Sequence, residues 1–102
     1  MCVEIFSEEI EMNSNTTHYL KTWQPFWDDI ASGKKTFEIR KHDRDFKIGD
    51  ILILQEYDHK TEEYCLGNCL PAIITYIVEG GQFGIEKGYC VMGIALPKAK
   101  NK

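Results

Sequence analysis

The sequence lacks any long apolar run. Although 43% of its 102 residues are hydrophobic, no stretch approaches the ~20 consecutive apolar residues of a membrane-spanning helix. No segment has the layout of a signal peptide either. These absences predict a cytoplasmic protein that does not sit in a membrane.

A recognisable set of metal ligands is also missing. The four cysteines are Cys2, Cys65, Cys69 and Cys90. Cys65 and Cys69 are spaced C-x3-C, wider than the usual C-x2-C pair, and no His lies nearby on the C-terminal side. Because a zinc site needs three or four converging ligands, we expect ordinary buried or half-buried thiols and no metal or other cofactor.

The sequence has no excess of positive charge. Its 16 acidic residues outnumber 12 basic ones, for a formal net charge of −4, whereas phosphate binding depends on Lys and Arg. The charges are nevertheless distributed unevenly along the chain, because residues 34–47 contain six basic side chains against three acidic ones. This predicts a basic stripe in an acidic protein, although a solvated charged hairpin face would have the same composition.

The residues that are present predict one small domain. Its length is typical of a single hydrophobic core. We expect a flexible N-terminal segment at residues 1–16, a folded domain at 17–97 and a basic tail at 98–102. Neither internal repeats nor low-complexity tracts interrupt the domain.

A helix is predicted from Thr22 to Ser32. Thr22 is a suitable N-cap, Pro25 falls in the first turn, and Gly33 follows where a helix end favours positive φ. Four apolar residues recur at helical spacing and are expected to pack inward: Trp23, Phe26, Trp27 and Ile30.

After Gly33 the apolar period changes to two, which is typical of strands. Strands are expected at residues 18–21, 35–40, 51–57, 64–78 and 89–96, with a hairpin loop at 58–62. One helix followed by short-linked strands predicts an α+β, mostly β fold, in which a closed or nearly closed barrel carries one main helix.

The segment from Gly33 to Arg40 contains the densest group of side chains that can bind a ligand or take part in catalysis. Thr36, Glu38 and Arg40 share one face of a strand, with Lys34 and Lys35 at the corner beside them. The cations can bind phosphate, and Glu38 with Arg40 can read the edge of a base. Alternatively Lys35 and Glu38 can activate water, or Glu38 and Arg40 can simply pair with neighbouring strands.

Further candidates flank this segment. His18 and Lys21 lie on a strand expected to abut it, and Lys41 extends its basic stripe. Three strand tyrosines can stack a base or pack into the barrel: Tyr57, Tyr76 and Tyr89.

The pattern G-x-K-x-x-E-x-R, formed by Gly33, Lys35, Glu38 and Arg40, resembles the signature of the ASCH domain (activating signal cointegrator homology), a member of the PUA-like superfamily. The F-K-x-G-D turn at residues 46–50 extends the resemblance, which covers roughly residues 17–96. Together these residues resemble a small bacterial and phage branch of that group.

The resemblance implies a PUA-like β-barrel whose cleft is lined by this motif and binds RNA or a nucleotide. A similar amidohydrolase of the group deacetylates N4-acetylcytidine; its Lys falls onto Lys35 and its Thr onto Glu38. Its catalytic Glu has Glu79 as the nearest candidate by position. Three hypotheses therefore remain: an RNA- or nucleotide-binding module, a small amidohydrolase with Lys35 and Glu38 as catalytic residues, and a protein-interaction domain.

Overall fold

The computed structural model describes residues 16–97. The expected flexible segment, apart from Thr16, and the expected basic tail lie outside the described residues. The elements in chain order are β1 (Thr17–Trp23), α1 (Gln24–Ala31), β2 (Phe37–Lys41), β3 (Ile51–Asp58), β4 (Glu63–Glu79) and β5 (Tyr89–Ala95).

The five strands form one curled sheet in the order β1-β3-β4-β5-β2. β1 pairs with β3 in parallel, and the other neighbours are antiparallel. The sheet makes a half-barrel, and the predicted mostly-β fold with one helix is confirmed. Its order leaves β1 and β2 as the two edge strands, far apart along the sheet but brought together by its curl.

The core lies on the concave side of the sheet. Leu52 and Leu54 of β3 are fully buried, and Ile74 and Met92 reach the same interior from β4 and β5. Burial of each such side chain contributes about 1.5–3 kcal/mol. Ile30 closes this core from the helix at 1% exposure.

The helix begins two residues later than the sequence predicts. β1 continues to its end at Trp23, because Thr22 and Trp23 lie in parallel register with residues 56 and 57 of β3. Thr22 is therefore not the N-cap; Trp23 holds that position without a side-chain hydrogen bond. Pro25 does lie in the first turn, and Gly33 after the helix has a φ of +88°, both as expected.

Of the four apolar residues that were predicted to pack inward, only two do so. Trp27 packs against the core and donates from Nε1 to the Leu54 carbonyl at 2.8 Å, and Ile30 is buried. Trp23 and Phe26, by contrast, are 46% and 47% exposed. Trp23 belongs to a strand, so the helical period does not apply to it.

The cysteines differ in state. Cys65 and Cys90 are free, as expected, whereas Cys69 is disulfide-bonded, which corrects the expectation of a thiol there. The helix described in residues 16–97 is too short to cross a membrane. Within the same residues, no group of His, Cys, Asp and Glu could hold a metal ion.

Candidate functional site

β2 presents its polar side chains to the interior. Glu38 is only 4% exposed, whereas the apolar Phe37 and Ile39 are 41% and 55% exposed. A half-buried strand ordinarily does the reverse. The interior of the half-barrel is therefore polar at this edge, and such a departure from the usual pattern is expected at functional sites.

A cleft of about 330 Å³ lies where β2 faces β1 across the gap between the two edges. Its lining residues come from both sides: Lys21, Thr22, Trp23 and Phe26 from β1 and the helix, and Glu38, Ile39, Arg40 and Lys41 from β2. This volume falls within the range of about 300–1,000 Å³ that is usual for small-molecule pockets.

Arg40 joins the two edges across the cleft. Its Nη2 donates to the backbone oxygen of Lys21 at 2.8 Å and to Oγ1 of Thr22 at 3.3 Å. Its Nε donates to Oε1 of Glu38 at 3.3 Å. Since the guanidinium is planar and fixed by all three contacts, it holds both β1 and the Glu38 carboxylate in place.

Glu38 has one oxygen that nothing in the described chain satisfies. Oε2 is buried and has no hydrogen-bond partner among residues 16–97, although Nζ of Lys35 lies 3.8 Å away. Leaving a buried acceptor unsatisfied costs about 1–3 kcal/mol, and more for a charged group. Glu38 lines the cleft, so Oε2 has an unused acceptor position that a ligand or a water molecule reaches once the side chains that cover it shift.

Lys35 is fixed beside this oxygen. Its Nζ donates to the Phe37 carbonyl at 2.8 Å and lies 4.8 Å from the Phe37 ring centroid and 5.6 Å from that of Phe26. Its side chain is 18% exposed. The structure thus brings Lys35 next to Glu38, although Lys35 does not itself line the cleft.

Two cations stand at the cleft without an acidic partner. Among residues 16–97, neither Lys21 nor Lys41 forms an ion pair, and both side chains are exposed. Nζ of Lys21 lies over the Tyr57 ring, 4.3 Å from its centroid. These lysines are the positive charges that an anionic ligand in the cleft would meet first.

The remaining predicted site residues lie elsewhere. His18 is buried, with Nε2 at 2.8 Å from Oδ2 of Asp50, and is not among the residues that line the cleft. Lys34 is exposed, 3.9 Å from Asp29, and Thr36 uses its carbonyl to accept from the Ile94 amide at 3.0 Å. These three side chains are therefore not brought into the cleft.

Glu79, the nearest candidate for the catalytic Glu of the similar amidohydrolase, ends β4. Its Oε1 lies 2.9 Å from Nδ1 of His42, and its side chain is 61% exposed. It does not line the cleft. Glu79 is therefore not placed to act in the cleft.

Sequence reasoning missed four residues that line the cleft: Thr22, Trp23, Phe26 and Ile39. The helical spacing of the aromatic residues assigned both rings to the core. One usable signal was the excess of large rings around Pro25, more than an eight-residue helix can bury on one face.

Neither free cysteine supplies a nucleophile. Burial raises the pKa of the Cys65 thiol, and the carboxylate of Glu56 raises it further. Burial likewise raises the pKa of the Cys90 thiol. Both stay protonated at neutral pH, and a thiol reacts as its thiolate.

A family model described as a domain of unknown function, DUF3850, matches residues 17–94, which is most of the chain. The chain belongs to this family. The DUF3850 match begins at the first residue of β1 and ends one residue before the end of β5, so it includes both edges of the cleft. A comparison with curated proteins finds no match to this chain.

Proposed function

We propose that this DUF3850 domain is an RNA- or nucleotide-binding module that holds one base in the cleft between β1 and β2. The observation that carries the proposal is the buried Oε2 of Glu38, which has no hydrogen-bond partner among residues 16–97. A carboxylate accepts from the amino group of a base, a pairing that proteins use to read base edges. The resemblance to ASCH domains of the PUA-like superfamily supports the same proposal.

The walls of the cleft suit the rest of a nucleotide. Trp23 and Phe26 expose nearly half of their surface, and exposed rings stack on unpaired bases. Lys21 and Lys41 line the cleft and provide positive charge that forms no ion pair within the described part of the chain. The ligand expected from this set has a flat ring with an N–H donor and at least one phosphate.

Binding of the four nucleoside monophosphates and of short single-stranded RNAs at low salt, measured by calorimetry, tests this proposal. We expect weak binding with a preference among bases, and Glu38→Gln should change that preference by about 1–3 kcal/mol. Glu86→Gln, at an exposed position outside the cleft, is the matched control and should change nothing. If no nucleotide or RNA binds at low salt, the proposal is wrong.

The 3.8 Å approach of Lys35 Nζ to Glu38 Oε2 favours a second candidate, a small amidohydrolase for N4-acetylcytidine-like nucleosides. Glu38 would take a proton from water as the water oxygen adds to the acyl carbon. Lys35 would stabilise the negative charge that forms on the acyl oxygen. As the C–N bond breaks, Glu38 would return its proton to the leaving nitrogen, and acetate and the deacetylated nucleoside would leave.

Incubation with N4-acetylcytidine, followed by chromatography, separates the two candidates. Turnover that is lost in both Lys35→Ala and Glu38→Gln would establish the hydrolase. Binding without turnover would leave the binding module. The absence of both would leave the protein-interaction domain.

A further inference from the structure

Three aromatic side chains form a row across the outer face of the sheet, next to the cleft. Trp23 of β1 is in register with Tyr57 of β3, and Tyr57 is in register with Tyr64 of β4. The two tyrosine rings meet edge to face at 5.1 Å. Trp23 and Tyr64 are 46% and 45% exposed, so this aromatic row is accessible at both ends.

The aromatic row is continuous with the cleft. Trp23 is both its first member and part of the cleft wall, and Lys21, another wall residue, places its Nζ 4.3 Å from the Tyr57 ring centroid. Neighbouring strands lie about 4.8 Å apart, so the row extends roughly 10 Å from the backbone of β1 to that of β4. A single base in the cleft cannot contact both ends of this surface.

The chemistry of the row matches single-stranded nucleic acid. Exposed rings on a sheet surface stack on successive bases, and a nearby cation meets the phosphate between them. His59 already stacks on Trp23 with a ring separation of 3.9 Å and an angle of 8°. This contact shows that the Trp23 ring accommodates a flat heteroaromatic ring in parallel.

We infer that the ligand of the cleft is a single-stranded oligonucleotide of at least two nucleotides, whose next base stacks on the aromatic row. This inference rests on the proposed nucleotide-binding function. Lys21, between cleft and row, meets the connecting phosphate. β5 pairs with β4 only from Ile73 onward, so among the described residues no further strand adjoins β4 at Tyr64 and the row ends there.

The test compares a nucleoside monophosphate with a trinucleotide of the same base, titrated into the wild-type chain at low salt. We expect the trinucleotide to bind about 5- to 100-fold more tightly, the range that stacking on one aromatic side chain supplies. Tyr64→Ala should remove most of this advantage and leave the monophosphate unaffected. Tyr64→Phe, which keeps the ring, should retain it.

Tyr76→Ala is the matched control. Tyr76 is another exposed tyrosine of β4, 64% accessible and outside the row, and its loss should change neither ligand. If the trinucleotide binds no more tightly than the monophosphate, the inference is overturned while the cleft remains a nucleotide site. An equal loss of trinucleotide affinity in Tyr64→Ala and Tyr76→Ala would overturn it as well. If neither ligand binds, this inference and the proposed function fail together.

Discussion

Two carboxylates are buried in this domain, and they are satisfied to very different degrees. Asp50 is 2% exposed and accepts from the amides of Thr16 at 3.2 Å and Lys47 at 3.0 Å, and it contacts His18 Nε2 at 2.8 Å. Glu38 is 4% exposed and accepts one hydrogen bond, from Arg40. One oxygen of Glu38 has no hydrogen-bond partner among residues 16–97, although Nζ of Lys35 lies 3.8 Å from it.

The contacts of Asp50 explain why it is buried. Its Lys47 contact closes the turn at residues 47–50, where Gly49 has a φ of +96°, and its Thr16 contact adjoins the start of the β1–β3 pairing. Buried polar groups are nearly always hydrogen-bonded, and Asp50 follows that rule for a structural purpose. Glu38 departs from it where two sheet edges meet, which is the arrangement expected of a group that completes its hydrogen bonds with a ligand.

The largest effect predicted from the contrast between the two carboxylates is a loss of stability when Asp50 is replaced. Asp50→Ala should lower the free energy of unfolding by about 3–5 kcal/mol, because it leaves the buried His18 and two part-buried backbone amides without their acceptor. Urea denaturation followed by tryptophan fluorescence measures this loss. Nucleotide affinity per folded molecule should not change.

Replacing each of the two carboxylates by its amide provides a matched control for this stability prediction. Asp50→Asn turns an amide nitrogen toward hydrogen-bond donors and should cost at least about 1 kcal/mol. Glu38→Gln keeps an acceptor for Arg40 and replaces an oxygen that has no hydrogen-bond partner among residues 16–97 and only a 3.8 Å approach of Lys35 Nζ, so its effect on unfolding should stay under about 1 kcal/mol. Equal losses in the two variants would contradict the distinction between a structural and a ligand-binding carboxylate.

Arg40 provides a second test of the difference between the two carboxylates, because among residues 16–97 it is the only hydrogen-bond donor to the Glu38 carboxylate. Arg40→Lys keeps the charge but cannot reach Glu38, the Lys21 carbonyl and Thr22 together. We expect it to lower the free energy of unfolding by about 1–3 kcal/mol, the range for one hydrogen bond to a charged group, and to weaken nucleotide binding. Denaturation and calorimetry measure the two effects.

Arg44→Lys is the control for Arg40→Lys. Arg44 is an exposed arginine of the loop after β2, 3.7 Å from Asp43, and it makes no contact across the cleft. Its substitution should be nearly neutral for both stability and nucleotide binding. If Arg40→Lys were equally neutral, the bridge across the two edges would have no energetic role.

The strands and turns could be predicted closely from local patterns. β3, β5 and the hairpin at residues 58–62 follow from two-residue periodicity bounded by Asp and Gly, and the structure places them within a residue or two of the prediction. In the hairpin Asp58 accepts from the amides of Lys60 and Thr61. These amide contacts lower the pKa of the Asp58 carboxyl and are the local chemistry that makes such a turn recognisable.

The cleft could be predicted only in part. The grouping of Lys35, Glu38 and Arg40 is local and was visible in the sequence. The pairing of β1 with β3, and the approach of β1 to β2, join residues far apart in the chain. Which face of β2 turns inward depends on its pairing with β5, so hydrophobicity alone would have buried Ile39 rather than Glu38. His18 was expected at the cleft because its bond to Asp50 spans 32 residues and has no local signal.

The smallest predicted effect is on the salt dependence of RNA binding, through the lysines at the cleft. If Lys21 and Lys41 each meet a phosphate, the slope of log K against log salt for single-stranded RNA should be near −1.4, at about 0.7 per contact. Lys41→Ala should weaken the binding of all RNA sequences alike and make this slope shallower by about 0.7.

Lys34→Ala and Glu38→Gln are the controls and should leave the slope unchanged, because neither side chain meets a phosphate. Lys34 is exposed, lies outside the cleft and is 3.9 Å from Asp29. Titrations at four salt concentrations measure all of these slopes. Equal changes for Lys34→Ala and Lys41→Ala would show that phosphates meet the whole basic stripe of residues 34–47 rather than the cleft.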